Sequence, residues 1–323
     1  MNTLMKWNSW LNKHMFIIVF SAMVFGFLSG IEKSPTVNAV IIALFAYMTL
    51  VGSLNSSFRE FFALLKRPWQ AIWILILIHA AIPLFAWGMG RVFYADDEAV
   101  RMGFLIAAVI PIAVSSLLWV TTTEGNIPLT LVTITLDTFI TPLLLPVFFF
   151  FCFGKAVKID YFRMIFELML MVTIPSIIGM FLHDRTHQRL AVFSKSIGGL
   201  TSKLAMFVIV GFNASIIAPF LHWNGWLVRL LLCIAFMVAG SYGVGYLGSL
   251  PLRKEGRATM ICVIYNVGMR NIAFGSVLAF TYFPLAVVVP VTLFSLFQQP
   301  LAGVVAYLLE RGKEKRGRER RRG

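Results

Sequence analysis

Apolar residues in this chain run in long blocks, and polar residues gather in the short breaks between them. Ten blocks stand out, at about 14–31, 37–54, 70–94, 102–122, 127–153, 163–182, 197–220, 225–248, 259–281 and 284–309. Each is long enough to cross a bilayer as a helix. The fourth and fifth are parted only by the Glu124-Gly125-Asn126 turn, the ninth and tenth only by Tyr282, Phe283 and Pro284. The ninth block is the odd one. Its centre, residues 265–271, reads Tyr-Asn-Val-Gly-Met-Arg-Asn. Burying Arg270 at membrane depth is costly unless it meets a carboxylate, water or a ligand. Glycine-containing, polar backbone at that depth is tolerated only where it lines a cavity, and transporters bind their cargo at such broken helices.

The fourth block carries a similar interruption. Arg101-Met-Gly-Phe leads into a span centred on Pro111 to Ser116, as Arg257-Ala-Thr-Met leads into the span centred on Asn266 to Asn271. The two stretches lie 156 residues apart, close to half the chain. Five helices per half is an odd number, so the halves, about 14–153 and 163–309, are expected to be inverted repeats. The expected fold is an all-α integral membrane protein of ten helices. It forms one transporter domain over residues 1–310, followed by a basic tail at 311–323.

Composition agrees: 59% of residues are hydrophobic and 13% are charged, about half the charge of a soluble domain. Cys152, Cys233 and Cys262 sit in apolar runs without metal-ligand spacing. The first block is followed by further spans and shows no small-residue cleavage site, so it is read as a helix and not a signal peptide. With ten spans both termini share one side, and that side holds 19 loop and tail cations against 6 on the other. Both termini are therefore expected in the cytoplasm, in a bacterial inner membrane. Eight cations follow Glu310. Placed directly after a span, they are expected to touch anionic lipid headgroups and not nucleic acid.

Several stretches together resemble the bile acid:sodium symporter family. Met48 to Leu54 with Phe58 and Pro68 is similar to its second helix and following loop, with Ser57 where Asp is usual. Pro111 to Ser116 resembles its first crossover segment. Gly125-Asn126 and Thr141-Pro142 follow at the family's spacing. Asn266 to Asn271 resembles its Glu-Val-Gly-Met-Gln-Asn segment, and Val289-Pro290 with Leu293 to Ser295 its last helix. The resemblance covers nearly the whole chain. It implies a panel domain (helices 1, 2, 6, 7) and a core domain (3, 4, 5, 8, 9, 10), with helices 4 and 9 broken and crossed. It further implies two sodium ions behind the crossover and an organic anion between the domains.

The departures concern the ions. In the resemblance the first sodium site falls on Ser116, Leu117, Thr130, Ile134 and Asn266. Only Ser116 and Thr130 keep the family's oxygen ligands there. The second falls on Asn266, the carbonyls of Val267 and Met269, Arg270, and a position near Ile78. No carboxylate remains at either, whereas sodium is expected to want several oxygens with a carboxylate nearby. Two charges are new: Arg270, and Asp137 one turn beyond the first site on the face of Thr130. A buried Arg and Asp in one domain most economically pair, and the guanidinium then acts as a built-in cation. Either a structural pair or a proton-carrying Asp137 fits the residues. His79, four residues before Pro83, is read as a packed histidine, with a proton relay as the alternative.

Asn271 and Gln299 match family positions lining the substrate cavity. Val114 and Asn213 are further candidates, with Arg270 as anion contact, and Glu167 belongs to the panel side. For each polar side chain the bland alternative is satisfaction by backbone. The expected protein is a monomeric secondary transporter of a small or amphipathic organic anion, working by alternating access. It is weakly coupled or uncoupled to sodium, with a proton as the other candidate ion. A sodium symporter with a rearranged site and a ligand-binding sensor stay open. A membrane enzyme lacks its motifs: no H-E-x-x-H, no G-x-S-x-G and no paired aspartates on facing helices occur.

Overall fold

The structure, a computed structural model, describes residues 2–58, 69–153, 160–186 and 189–320. Pro68, the loop cations Arg59, Lys66, Arg67, Lys155 and Lys158, and residues 321–323 of the tail lie outside these. The described residues form helices α1 (Asn2–Lys13), α2 (Met15–Ser29), α3 (Pro35–Ser53), α4 (Trp69–Phe93), α5 (Glu98–Val109), α6 (Ser116–Thr122) and α7 (Ile127–Phe153). They continue with α8 (Phe162–Arg185), α9 (Arg189–Phe220), α10 (Gly225–Ser249), α11 (Arg257–Gly268), α12 (Ile272–Tyr282) and α13 (Leu285–Arg320). Seven of them are long and apolar enough to cross a bilayer. Their outer faces expose large apolar side chains such as Leu84, Phe151 and Leu232, the surface a hydrocarbon solvent favours.

The helices sort into two packed groups. In the first, α2 lies against α9, and α3 lies against both α8 and α9. The α2–α9 contact is intimate because two glycines meet: a Cβ on Gly26 would lie 2.2 Å from the Gly211 carbonyl oxygen. Small residues let membrane helices approach to backbone contact. In the second group α10 packs on α11, α5 on α13 and α4, and α12 on α13. Helix α7 runs against α4, α6 and α11.

Local chemistry sets the breaks and ends. Ser34 caps α3 by accepting from Val37 N–H, with Pro35 in the first turn. Asp97 and Asn224 cap α5 and α10 in the same way. Pro83 has no N–H to give the His79 carbonyl, four residues earlier, and α4 widens there into a π-turn over Leu77–Ala81. Pro175 follows a like π-turn, Met169–Thr173, in α8.

At one end the two groups are tied together at three consecutive residues closing α12. Lys33 Nζ donates to the Phe280 carbonyl at 2.9 Å, Thr281 donates to Asn38 Oδ1 at 3.2 Å, and Tyr282 donates to Glu167. Burial lowers the Lys33 ammonium from the ordinary lysine pKa.

Candidate functional site

The site is built where two helices stop. Helix α5 ends at Val109 and the chain turns extended at Ile110; α11 ends at Gly268 and turns extended at Met269. The interrupted segments lie antiparallel and pair, through an isolated bridge between Ile112 and Arg270. Ala113 N–H donates to the Met269 carbonyl at 3.1 Å, and Asn271 N–H to the Pro111 carbonyl at 2.8 Å. Backbone freed by the breaks must find partners away from water. These bonds supply part of them, and two side chains supply more. Asp137 Oδ2 accepts from Ile112 N–H at 2.6 Å, and Gln298 Oε1 accepts from Arg270 N–H at 2.8 Å. Each bridging residue is thus held by a side chain of the helix that follows its own interrupted pair.

The expected Asp137–Arg270 pair does not form. Asp137, fully buried on α7, accepts from His79 Nε2–H at 2.7 Å and from Thr141 Oγ1 at 3.2 Å. His79 lies within the π-turn of α4. Arg163 pairs with Glu167 within α8, and His79 with Asp137 is an ion pair only when the imidazole is protonated. Arg270 is 4% exposed. Its Nη2 donates to the Val267 carbonyl at 2.9 Å, near the end of α11. Nε and Nη1 are buried without a partner among the described residues. A cation at a helix C-terminus is favourable, so the guanidinium is placed to neutralise the carbonyl end of α11.

The positions matched to the first sodium site are closed on one another. Ser116 donates to Asn266 Oδ1 at 3.1 Å, Asn266 Nδ2 to Cys262 Sγ at 3.5 Å, and Thr130 to Cys262 Sγ at 3.1 Å. Leu117 and Ile134 turn instead to a neighbouring cavity. The Val267 carbonyl is taken by Arg270 and the Met269 carbonyl by Ala113. Among the described residues no cluster of His, Cys, Asp and Glu could hold a metal.

That cavity, about 110 Å³, lies between the two groups. The first group contributes Thr49, Asn55 and Ser176; the crossover contributes Pro111, Ile112, Val114 and Asn271; α7 contributes Thr135 and Thr138. Asn271 also caps α12, accepting from Phe274 N–H at 3.2 Å. Other sequence candidates stand elsewhere. Gln299 binds Trp119 Nε1 and Ser115 Oγ and does not line this cavity. Asn213 is buried in α9, both amide atoms unpartnered among the described residues, also off the wall. Glu167 accepts from Arg163 and Tyr282. Among the polar wall residues that escaped the sequence are Asn55, Ser176 and Thr138. Their signal was thin, a polar residue in the turn after α3, a serine beside Pro175, and a threonine next to Asp137.

Interrupted helices paired inside a bundle of apolar spans, beside a cavity between two helix groups, define a multi-pass membrane protein of transporter type. Residues 41–222, more than half of the chain, match the Sodium Bile acid symporter family. The chain belongs to that family. It is 33% identical over 300 residues to the Bacillus subtilis (strain 168) "Uncharacterized protein YbaS", covering 91% of this chain and 94% of that one. It is 23% identical over 293 residues to the "Uncharacterized sodium-dependent transporter YocS" of the same organism, covering 90% of this chain and 88% of YocS.

Proposed function

We propose that this protein is a secondary transporter of an organic anion, moving it by alternating access of the cavity between the two helix groups. The reading extends to ten spans in two inverted five-helix repeats, a panel and a core, in a bacterial inner membrane. Both termini are inside, the basic tail rests on anionic lipid, and the protein acts as a monomer. One observation carries it: the cavity is walled on one side by the crossover and on the other by the facing helix group, so relative motion of the groups moves the site's opening.

Coupling departs from sodium as the family's motif performs it. Arg270 occupies the carbonyl end of α11 with a fixed charge. A second cation about 4 Å away is repelled by about 4 kcal/mol at an effective dielectric near 20, and a millimolar site is worth only about 4 kcal/mol. The exchangeable ion in this reading is a proton on the His79–Asp137 pair, or there is none. A second reading, sodium symport through a rearranged site, is favoured by the description of YocS as a sodium-dependent transporter.

Counterflow in vesicles of purified protein decides between them. Saturable exchange of an organic anion, unchanged when potassium replaces sodium, is the expected result. Uptake that demands sodium selects the second reading, and ligand binding without any counterflow removes transport.

A further inference from the structure

The cavity wall says what size and chemistry of anion fits. A cavity of about 150 Å³ accommodates benzene, and pockets for drug-sized ligands span roughly 300–1,000 Å³. At about 110 Å³ this one is matched to a molecule of about six non-hydrogen atoms, far below a sterol. Among the described residues no charged side chain lines it.

Its polar groups fall into donors and acceptors. Thr49, Thr135 and Thr138 spend their hydroxyl protons on carbonyls of their own helices, which leaves oxygen lone pairs as acceptors. Ser176 differs: it is 3% exposed and its Oγ has no partner among the described residues, so its proton is unspent there. Asn271 uses Oδ1 to cap α12, and its amide hydrogens are directed to no acceptor among the described residues. Asn55 donates through Nδ2 to Gly52 and Ser194, while its Oδ1 is buried without a donor among the described residues. Unpaired buried polar groups are costly, and a ligand that completes all three relieves them together. It needs two acceptor oxygens for Ser176 and Asn271 and one hydroxyl donor for Asn55. Negative charge is favoured at this end of the ligand by the α12 N-terminus, which begins at Asn271.

We infer that the cavity takes a short hydroxymonocarboxylate of about six non-hydrogen atoms, its carboxylate on Ser176 and Asn271 and its hydroxyl on Asn55 Oδ1. This rests on the transport reading above and narrows it.

Proteoliposome uptake and thermal stabilisation of the detergent-solubilised full chain are measured with lactate, pyruvate and cholate below its micellar concentration. Lactate is expected to be taken up saturably. Pyruvate, which has no hydroxyl to donate, is expected to be at least about tenfold weaker, and cholate is expected not to compete. Ser176→Ala removes a group with no protein partner, so unliganded melting should not fall, while lactate affinity should drop about tenfold. Cholate uptake without lactate uptake overturns the inference and leaves the transport reading standing, whereas no uptake of any anion removes both. Pyruvate as strong as lactate also overturns it, as does Ser176→Ala with unchanged lactate affinity.

Discussion

Three side chains decide how the crossover is held. Asp137 does two jobs: it takes the Ile112 N–H of one break and pairs with His79. Asp137→Ala leaves both donors buried and unpaired, and is expected to cost about 3 kcal/mol or more in a denaturant titration in detergent. Asp137→Asn keeps an acceptor for Ile112 but removes the carboxyl group. It is expected to lose much less stability and to flatten the pH dependence of counterflow. Unaltered pH dependence would remove the pair as proton carrier. Arg270 donates to the Val267 carbonyl at the end of α11, and in the proposed reading it stands in place of a mobile cation. Combining Arg270→Gln with Asn266→Glu, Leu117→Asn and Ile134→Thr restores the family's ligand types. That variant is expected to gain sodium-dependent thermal stabilisation. No gain would mean that the backbone, in which the Met269 carbonyl is already bonded to Ala113, has also diverged.

At the scale of elements, prolines and glycines set the geometry that the polar residues use. The π-turn ahead of Pro83 contains His79, and the one ahead of Pro175 sits beside Ser176. The first helix group depends on the α2–α9 contact through Gly26 and Gly211. Gly26→Val drives a side chain into the Gly211 carbonyl. It should cost about 3 kcal/mol, since overpacking of a close contact is relieved only by separating the helices. The check is a matched pair of denaturation curves with Gly52→Ala, where an added Cβ meets nothing within 4 Å. Equal loss in both would show that the close approach contributes nothing.

At the scale of the whole molecule, the ties at Phe280, Thr281 and Tyr282 join the two groups at one end, and the cavity lies toward the other, by Asn55 and Ser56. The proposed topology puts the tied end outside. Reporter fusions in residues 95–100 and 154–162 are expected to read external, and a cytoplasmic signal at either would break the ten-span count. The sequence by itself determined the membrane class, the places where α5 and α11 break, and the family, because these rest on local composition. Apolar blocks of bilayer length, a proline at 111 and a polar Gly-Met-Arg-Asn run inside an apolar span can be read along the chain. Which polar group meets which could not be read. Asp137 has His79 on α4 and Arg270 beyond α11 as candidate partners, at 58 and 133 residues' separation. The packing of the helices chose His79. The same packing moved Gln299 off the cavity wall and brought Asn55 and Ser176 onto it. A buried group's partner depends on the helix facing it, and that is settled only when the helices pack.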